Sequence, residues 1–165
     1  MSRKHDHPCA IAEALNILGD RWTILILRET FLGQHRFDEF RRRTGASRGS
    51  LSSRLETLVA NGILYKNPYQ TSPLRYEYRL TGKGLALYPW ALLIWQWETE
   101  WADANDAELP TQLWHAFGEG HQLRPLAVCR HCGEPLHYDD VERVVNASPQ
   151  GAPTGSLTEI GSQRR

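Results

Sequence analysis

The sequence predicts a mainly helical domain that contains one small β-hairpin, followed by an extension that carries a C-x-x-C motif. In residues 9–60, apolar side chains recur at helical spacing, and capping residues such as Asp20 and Ser47 precede the helical segments. Residues 74–80 instead alternate strictly between apolar and polar side chains, as a half-buried strand does. With 165 residues, the chain can bury one good core and a small appendix.

Three predicted helices precede a longer fourth one. Residues 9–18 form the first helix, and residues 21–31 form the second, which is apolar on nearly every side and therefore belongs in the middle of the core. Residues 37–43 form a short third helix that ends in consecutive arginines. A tight turn at residues 44–46 leads into the fourth helix, residues 47–60. A short helix, a brief turn with glycine and a longer helix have the spacing of a helix-turn-helix.

The fourth helix has two unlike faces. Leu51, Leu55 and Leu58 fall on one side, and Val59 lies beside them. The opposite side carries glycine, serine and threonine and few bulky groups. Another molecule can therefore approach this side of the helix closely, although a polar surface helix would have the same pattern.

A β-hairpin follows the fourth helix directly. Its predicted strands are residues 63–67 and 74–80, and the predicted loop, residues 68–73, is rich in turn residues. A two-stranded hairpin is not stable alone, so it must pack on the helices. Lys66 and Arg75 flank its tip. This order of elements predicts a winged helix-turn-helix fold.

The distribution of charge favours a polyanionic partner for this part of the chain. The net charge of the whole chain is zero, yet residues 36–83 carry ten Lys and Arg against four Asp and Glu, a net charge of +6. Residues 84–165 carry five against eleven, a net charge of −6. The basic segment coincides with the helix-turn-helix and the wing, as the surface of a double-stranded DNA-binding protein would.

Residues 85–104 predict a long helix with an apolar stripe rich in tryptophan, which Pro89 is expected to kink or restart. A domain of this size cannot easily cover so many tryptophans. We therefore expect the stripe to form a homodimer interface, with packing inside the domain as the alternative. Its members are Trp90, Leu93, Ile94, Trp97 and Trp101.

Several short motifs between about residues 8 and 101 occur together. They are Cys9, Gly19-Asp20-Arg21-Trp22, Arg36-Phe37, Leu51-Ser52, Arg54-Leu55, Asn61-Gly62, residues 76–84 and residues 89–97. With these motifs the chain resembles the HxlR-type winged helix-turn-helix transcriptional regulators. The resemblance implies a bacterial, cytoplasmic homodimer that regulates transcription, with repression as the expected mode, at a roughly palindromic operator.

The resemblance also implies that the fourth helix enters the major groove of DNA, which admits one helix. Its serines would contact phosphates or base edges, and its arginines would read guanine or clamp phosphates. The third helix and the wing would neutralise further phosphates. The expected DNA-contacting residues are Arg41, Arg42, Arg43, Ser47, Arg48, Ser50, Ser53, Arg54, Lys66 and Arg75.

The first cysteine, Cys9, lies at the start of the first helix, where the helix dipole favours the thiolate. In some members of the resembled family a cysteine at this position senses oxidants. The alternative is a buried thiol packed at the dimer interface. A small molecule or an oxidant is therefore the expected class of effector.

The other two cysteines, Cys129 and Cys132, form a C-x-x-C-G knuckle, a turn that presents two thiolates to zinc. One knuckle is half of a tetrahedral site. A metal-free remnant and a redox dithiol are the alternatives to zinc, and the expected function requires no cofactor. The candidates for a further ligand are His137 first, and then His131, His121 and His115.

The predicted organisation is a DNA-binding and dimerisation domain at residues 8–104, an extension with the knuckle at 105–145 and a disordered tail at 146–165. The sequence lacks an apolar run of the roughly 20 residues that span a membrane, and it begins without a signal peptide. A protein-interaction module is the main competing interpretation. An enzyme that uses the Cys and His residues is less favoured, because the sequence carries no phosphate loop, G-x-S-x-G motif or evident pair of catalytic carboxylates.

Overall fold

The computed structural model describes residues 9–101 and 112–141. The chain divides into two compact units, and the division falls between Pro125 and Leu126. The tail at residues 146–165 and the domain boundary predicted after residue 104 lie outside the described residues.

Four helices precede the hairpin: α1 (Ala10–Leu18), α2 (Arg21–Phe31), α3 (Phe37–Thr44) and α4 (Arg48–Ala60). Each predicted helix boundary is confirmed to within one residue. The boundaries are predictable because they are set by local capping. The Asp20 carboxylate accepts the N–H of Trp22 at 2.9 Å and caps α2.

The core of the first unit lies between these helices and the base of the hairpin. It combines Leu51, Leu55 and Leu58 of α4 with Ile26 of α2 and Phe40 of α3, all fully buried. The apolar stripe predicted for the fourth helix is thus confirmed.

The hairpin is longer than predicted. Strand β1 (Leu64–Thr71) pairs antiparallel with β2 (Leu74–Leu80), and pairing continues to the last pair, Thr71 with Leu74. The predicted loop at 68–73 was wrong, since the turn contains only two residues. Pro68 is tolerated inside β1 because this is an edge strand, and the register shifts between Pro68 and Gln70.

Strand β2 has a second neighbour on its other side. The N–H of Tyr78 donates to the carbonyl oxygen of His35 at 2.7 Å, and Arg36 forms a β-bridge with Glu77. The residues just before α3 therefore hold the hairpin against the helix-turn-helix, a contact that the sequence did not predict.

Two helices follow the hairpin, α5 (Gly82–Leu85) and α6 (Tyr88–Trp101). The single helix predicted over 85–104 is therefore interrupted at residues 86–87. Pro89 is the second residue of α6, which confirms that the helix restarts there, because proline fits the first turn of a helix. Two short strands, β3 (Trp114–His115) and β4 (His121–Gln122), complete the described part of the first unit.

Candidate nucleic-acid interface

The turn between α3 and α4 is fixed by local interactions. Gly45 adopts a φ of +72°, which favours glycine, and its N–H donates to the carbonyl oxygen of Arg41 at 3.1 Å. The N–H of Ala46 donates to Thr44 Oγ1 at 3.2 Å, and the Ala46 side chain is buried. Ser47 Oγ then accepts the N–H of Ser50 at 3.1 Å and caps α4. The two helices are thereby held in a defined helix-turn-helix.

The outward side of α4 consists of small side chains. Ser53 is exposed, and a Cβ added at Gly49 would meet nothing within 4 Å. The hydroxyl groups of Ser47 and Ser50 lie 2.9 Å apart at the start of the helix. The backbone of the first two turns is therefore open to close approach by another molecule.

The seven basic residues predicted to contact DNA fall into two groups. Arg43 and Arg54 are paired within the first unit: Arg43 Nε lies 3.6 Å from Glu29 Oε2, and Arg54 Nε lies 3.5 Å from Asp20 Oδ1. Arg54 thus links the recognition helix to the start of α2 instead of projecting freely. The Arg48 side chain, by contrast, is exposed and makes no hydrogen bond or ion pair within residues 9–101 and 112–141.

Glu29 accounts for the position of Arg43. Its side chain is 3% exposed near the C-terminal end of α2, and Arg28 donates two hydrogen bonds to its Oε1. A buried carboxylate needs such partners, since an unpaired buried charge is costly. The signal in the sequence for this ion pair is Glu29 itself, the one acidic residue of the mainly apolar helix α2.

The arginines of α3 and α4 that have no ion pair with a described carboxylate, and could contact another molecule, lie at the end of α3 and the start of α4. Arg42 is exposed and Arg41 is partly exposed. The carboxylate near them, Glu39, is engaged in local contacts. Burial raises its pKa, but hydrogen bonds from the N–H groups of Arg36 and His35 and the positive charges of Arg36 and Arg42 lower it by more. The net shift of the pKa is therefore downward. Ionised Glu39 therefore caps α3.

The wing carries the predicted basic residues at its surface. Lys66 and Arg75 are both exposed, and the Lys66 ammonium lies 5.9 Å from the centre of the Tyr76 ring. The only carboxylate on the described strands of the wing is Glu77, and hydrogen bonds from Arg79 and Asn67 lower its pKa. Its charge is thus compensated within the wing, which leaves Lys66 and Arg75 as exposed basic residues. Only Arg75 lies beside the tip as predicted, because the longer hairpin pairs Lys66 with Tyr78 near its base.

The base of the wing is joined to the end of α4 by the Thr81 to Gly84 segment. Thr81 Oγ1 donates to the carbonyl oxygen of Gly62 at 2.6 Å, and Lys83 Nζ donates to that of Asn61 at 2.9 Å. A Cβ at Gly84 would lie 2.3 Å from the carbonyl oxygen of Ile63. This close backbone contact explains the glycine and fixes the wing relative to the recognition helix.

Helix α6 presents its tryptophan stripe to solvent. None of its residues is buried. Trp97 is 61% exposed and Trp101 is 74% exposed, and Leu93 and Ile94 are exposed beside them. Trp90 differs, because it is only partly exposed and lines a groove of about 710 Å³ between α2 and α6.

The family follows from comparison with known proteins. Residues 17–106 match the HxlR-like helix-turn-helix model. The chain belongs to the HxlR-like helix-turn-helix family. An uncharacterised HTH-type transcriptional regulator of Mycobacterium tuberculosis is 39% identical to this HxlR-like chain over 77% of the chain and 79% of the relative.

Solved structures agree with this assignment. The candidate transcription factor PA1607 superposes with a TM-score of 0.74 and 33% identity, over 86% of this chain and 97% of its own. The redox regulator HypR in its reduced form superposes with a TM-score of 0.52 and 29% identity, over 56% of this chain and 92% of its own. The HxlR-like chain is therefore a winged helix-turn-helix transcriptional regulator.

Cys9 of this HxlR-like chain is the residue that precedes α1. Its side chain is partly exposed, and its carbonyl oxygen accepts the N–H of Glu13 at 3.0 Å. On the same helix Ile11 and Leu15 are exposed apolar residues. Helix α1 thus carries a second uncovered apolar surface, and Cys9 is the residue before it in the chain.

The predicted C-x-x-C hairpin is confirmed in the second unit. Val128 and Pro135 form a β-bridge that brackets the motif. The backbone N–H of Cys132, the N–H of His131 and the Cys132 thiol lower the pKa of Cys129 by hydrogen bonding. Within residues 9–101 and 112–141, no three His, Cys, Asp or Glu side chains come together as a metal site. His137 is thus not gathered with the two cysteines into such a group.

The remaining histidine candidates lie in the first unit or at the tip of the knuckle. His115 Nδ1 is 3.3 Å from His121 Nε2, across β3 and β4. No helix in the described parts of the chain is long and apolar enough to cross a membrane.

Proposed function

We propose that this HxlR-like protein is a homodimeric repressor that binds a roughly palindromic operator in the cytoplasm and has no enzymatic activity. The observation that carries the proposal is the start of α4. A capped helix end and small outward side chains suit entry into a major groove, as does Arg48, whose side chain has no partner in the described part of the chain. Base edges in the groove are read by the first residues of such a helix.

The basic residues around α4 supply the phosphate contacts. Arg41 and Arg42 precede the helix, and Lys66 and Arg75 belong to the wing. Two subunits would double each contact, so the affinity should fall steeply as the salt concentration rises. Arg43 and Arg54 remain proposed DNA contacts of lower weight, because both already have carboxylate partners.

Binding to DNA is tested with a fragment taken from upstream of the protein's own gene. Fluorescence anisotropy at about 100 mM salt should give saturable binding that a scrambled fragment of the same composition does not reproduce. A reporter gene placed behind the same fragment should be expressed more strongly when the regulator is deleted. Equal binding to both fragments would contradict operator recognition, and lower reporter expression would contradict repression.

The homodimer rests on the uncovered stripe of α6. Large exposed apolar patches mark protein interfaces, and tryptophan dominates their binding energy. Trp97→Ala should weaken dimerisation by about 2 kcal/mol, a rise in the dimer dissociation constant of about 30-fold. Analytical ultracentrifugation measures it. Trp114→Ala is the matched control, since Trp114 is 63% exposed but belongs to β3; an equal effect of both variants would contradict this interface.

A second proposal concerns regulation through Cys9. Its partial exposure at a helix start supports oxidation, and the exposed apolar residues Ile11 and Leu15 of the helix that follows it offer a surface through which oxidation would affect the dimer. Diamide should release DNA from the wild type but not from Cys9→Ser. Release from both proteins would exclude Cys9 as the sensor and would leave a small-molecule effector as the alternative.

A further inference from the structure

The hairpin of the second unit has the form of a metal knuckle. The N–H of Cys129 donates to the carbonyl oxygen of Glu134, and the N–H of Gly133 donates to that of Cys129, both at 2.8 Å. Gly133 closes the turn at a φ of +79°, which favours glycine. These bonds place Cys129 at the start of the turn and Cys132 just before the glycine, so the two thiols share one side of the loop.

The rest of the hairpin holds the turn in this form. Val128 and Pro135 form a β-bridge on either side of it, and the N–H of Leu136 donates to the carbonyl oxygen of Ala127 at 2.9 Å. A turn that is closed on both sides keeps its two cysteines within one loop of four residues, which is the arrangement that a zinc knuckle requires.

The described part of this unit, residues 126–141, has no core of its own. Its apolar side chains Leu126, Val128, Leu136 and Tyr138 are all exposed. A small hairpin is marginal in water, and units of this size are usually stabilised by a metal, a disulfide or association. A bound metal and association with a second chain would together stabilise the knuckle.

We propose that Cys129 and Cys132 bind zinc together with the same two cysteines of a second copy, so that one zinc ion joins two chains. Structural zinc is held by four ligands in a tetrahedron, and one knuckle supplies two thiolates. Because the described residues offer no third ligand near the pair, the missing two are assigned to the partner's Cys129 and the partner's Cys132. The proposal rests on the homodimer of the proposed function.

The test is the metal content of full-length, untagged protein that has been reconstituted with zinc under reducing conditions and then desalted. Mass spectrometry of the metal should give one zinc per two chains. Cys129→Ser and Cys132→Ser should each lose it, while the control Cys9→Ser should retain it. Reconstitution with Co²⁺ should give the thiolate-to-metal charge-transfer absorption and the intense visible bands of a tetrahedral sulfur site.

Zinc at one ion per chain, zinc retained by both knuckle variants or no zinc at all would each overturn the proposal. Ultracentrifugation and operator binding on the same samples separate this failure from that of the proposed function. A dimer that binds its operator without zinc overturns the shared site alone, whereas a monomer that does not bind DNA overturns both.

Discussion

Replacement of Arg48 or Arg54 by alanine should produce two different defects, although both residues belong to α4. Arg48 is the first residue of α4, exposed and unpaired in the described part of the chain, and Arg54 is paired with Asp20. We therefore expect Arg48→Ala to weaken DNA binding with the fold intact. We expect Arg54→Ala to destabilise the fold while DNA binding changes little.

The magnitudes follow from the number and surroundings of the contacts. Loss of one arginine contact costs about 1 kcal/mol or more in each half-site, so the dimer should lose about 2 kcal/mol, an affinity decrease of about 30-fold. If Arg48 contacts phosphate, the slope of log affinity against log salt concentration should also become shallower by about 2. If Arg48 instead reads guanine, the variant should discriminate less between bases at one position of each half-site.

The effect of Arg54→Ala is of a different kind. The side chains of Arg54 and Asp20 are 32% and 33% exposed, so their ion pair is partly screened. Together with packing of the arginine stem, its loss should cost about 1 kcal/mol of unfolding free energy. Urea denaturation measures this cost, and anisotropy titrations from about 50 to 200 mM salt measure DNA binding. Normal affinity in Arg48→Ala, or a 30-fold loss in Arg54→Ala without destabilisation, would refute this division of roles.

Three further predictions concern the supports of the interface. Gly84→Ala should lower the unfolding free energy by about 1–3 kcal/mol, because the new Cβ would lie 2.3 Å from the Ile63 carbonyl oxygen. Gly82→Ala is the control, since a Cβ at Gly82 would meet nothing within 4 Å. Equal melting temperatures of the two variants would contradict this prediction. Gly49→Leu should leave the melt unchanged but reduce DNA affinity at least about tenfold, and unchanged affinity would show that α4 does not approach DNA there. Glu39 has a folded-state pKa below its ordinary value of 4.5, so the stability it adds is present above pH 4.5 and is lost as the pH falls through the folded-state pKa. The difference in unfolding free energy between the wild type and Glu39→Gln should therefore shrink as the pH falls below 4.5, and a constant difference would exclude this linkage.

Much of the helical part was predictable because its signals are local. Asp20 and Ser47 cap α2 and α4 through bonds to N–H groups two or three residues away. The period of Leu51, Leu55 and Leu58 fixes the buried side of α4 in the same way. The wing was less predictable. Pro68 is typical of a loop, yet it lies within β1, because an edge strand tolerates a missing N–H.

The candidate interface was also predictable only where its signals are local. The position of α4 as the second helix of the helix-turn-helix and the exposed stripe around Trp97 followed from spacing and composition. Which basic residues are available to a partner did not follow, because ion pairs depend on residues that are distant in sequence.

The sequence by itself determined the order of elements, their caps and the family, since these depend on neighbours within a few residues or on motifs read along the chain. Only the tertiary structure decided that Arg43 meets buried Glu29 and that Arg54 meets Asp20, while the Arg48 side chain has no partner among the residues that the structure describes. The physical reason is that a charge is satisfied by whatever group packing brings within reach, and packing brings α2 beside α3 and α4 across more than ten residues of chain.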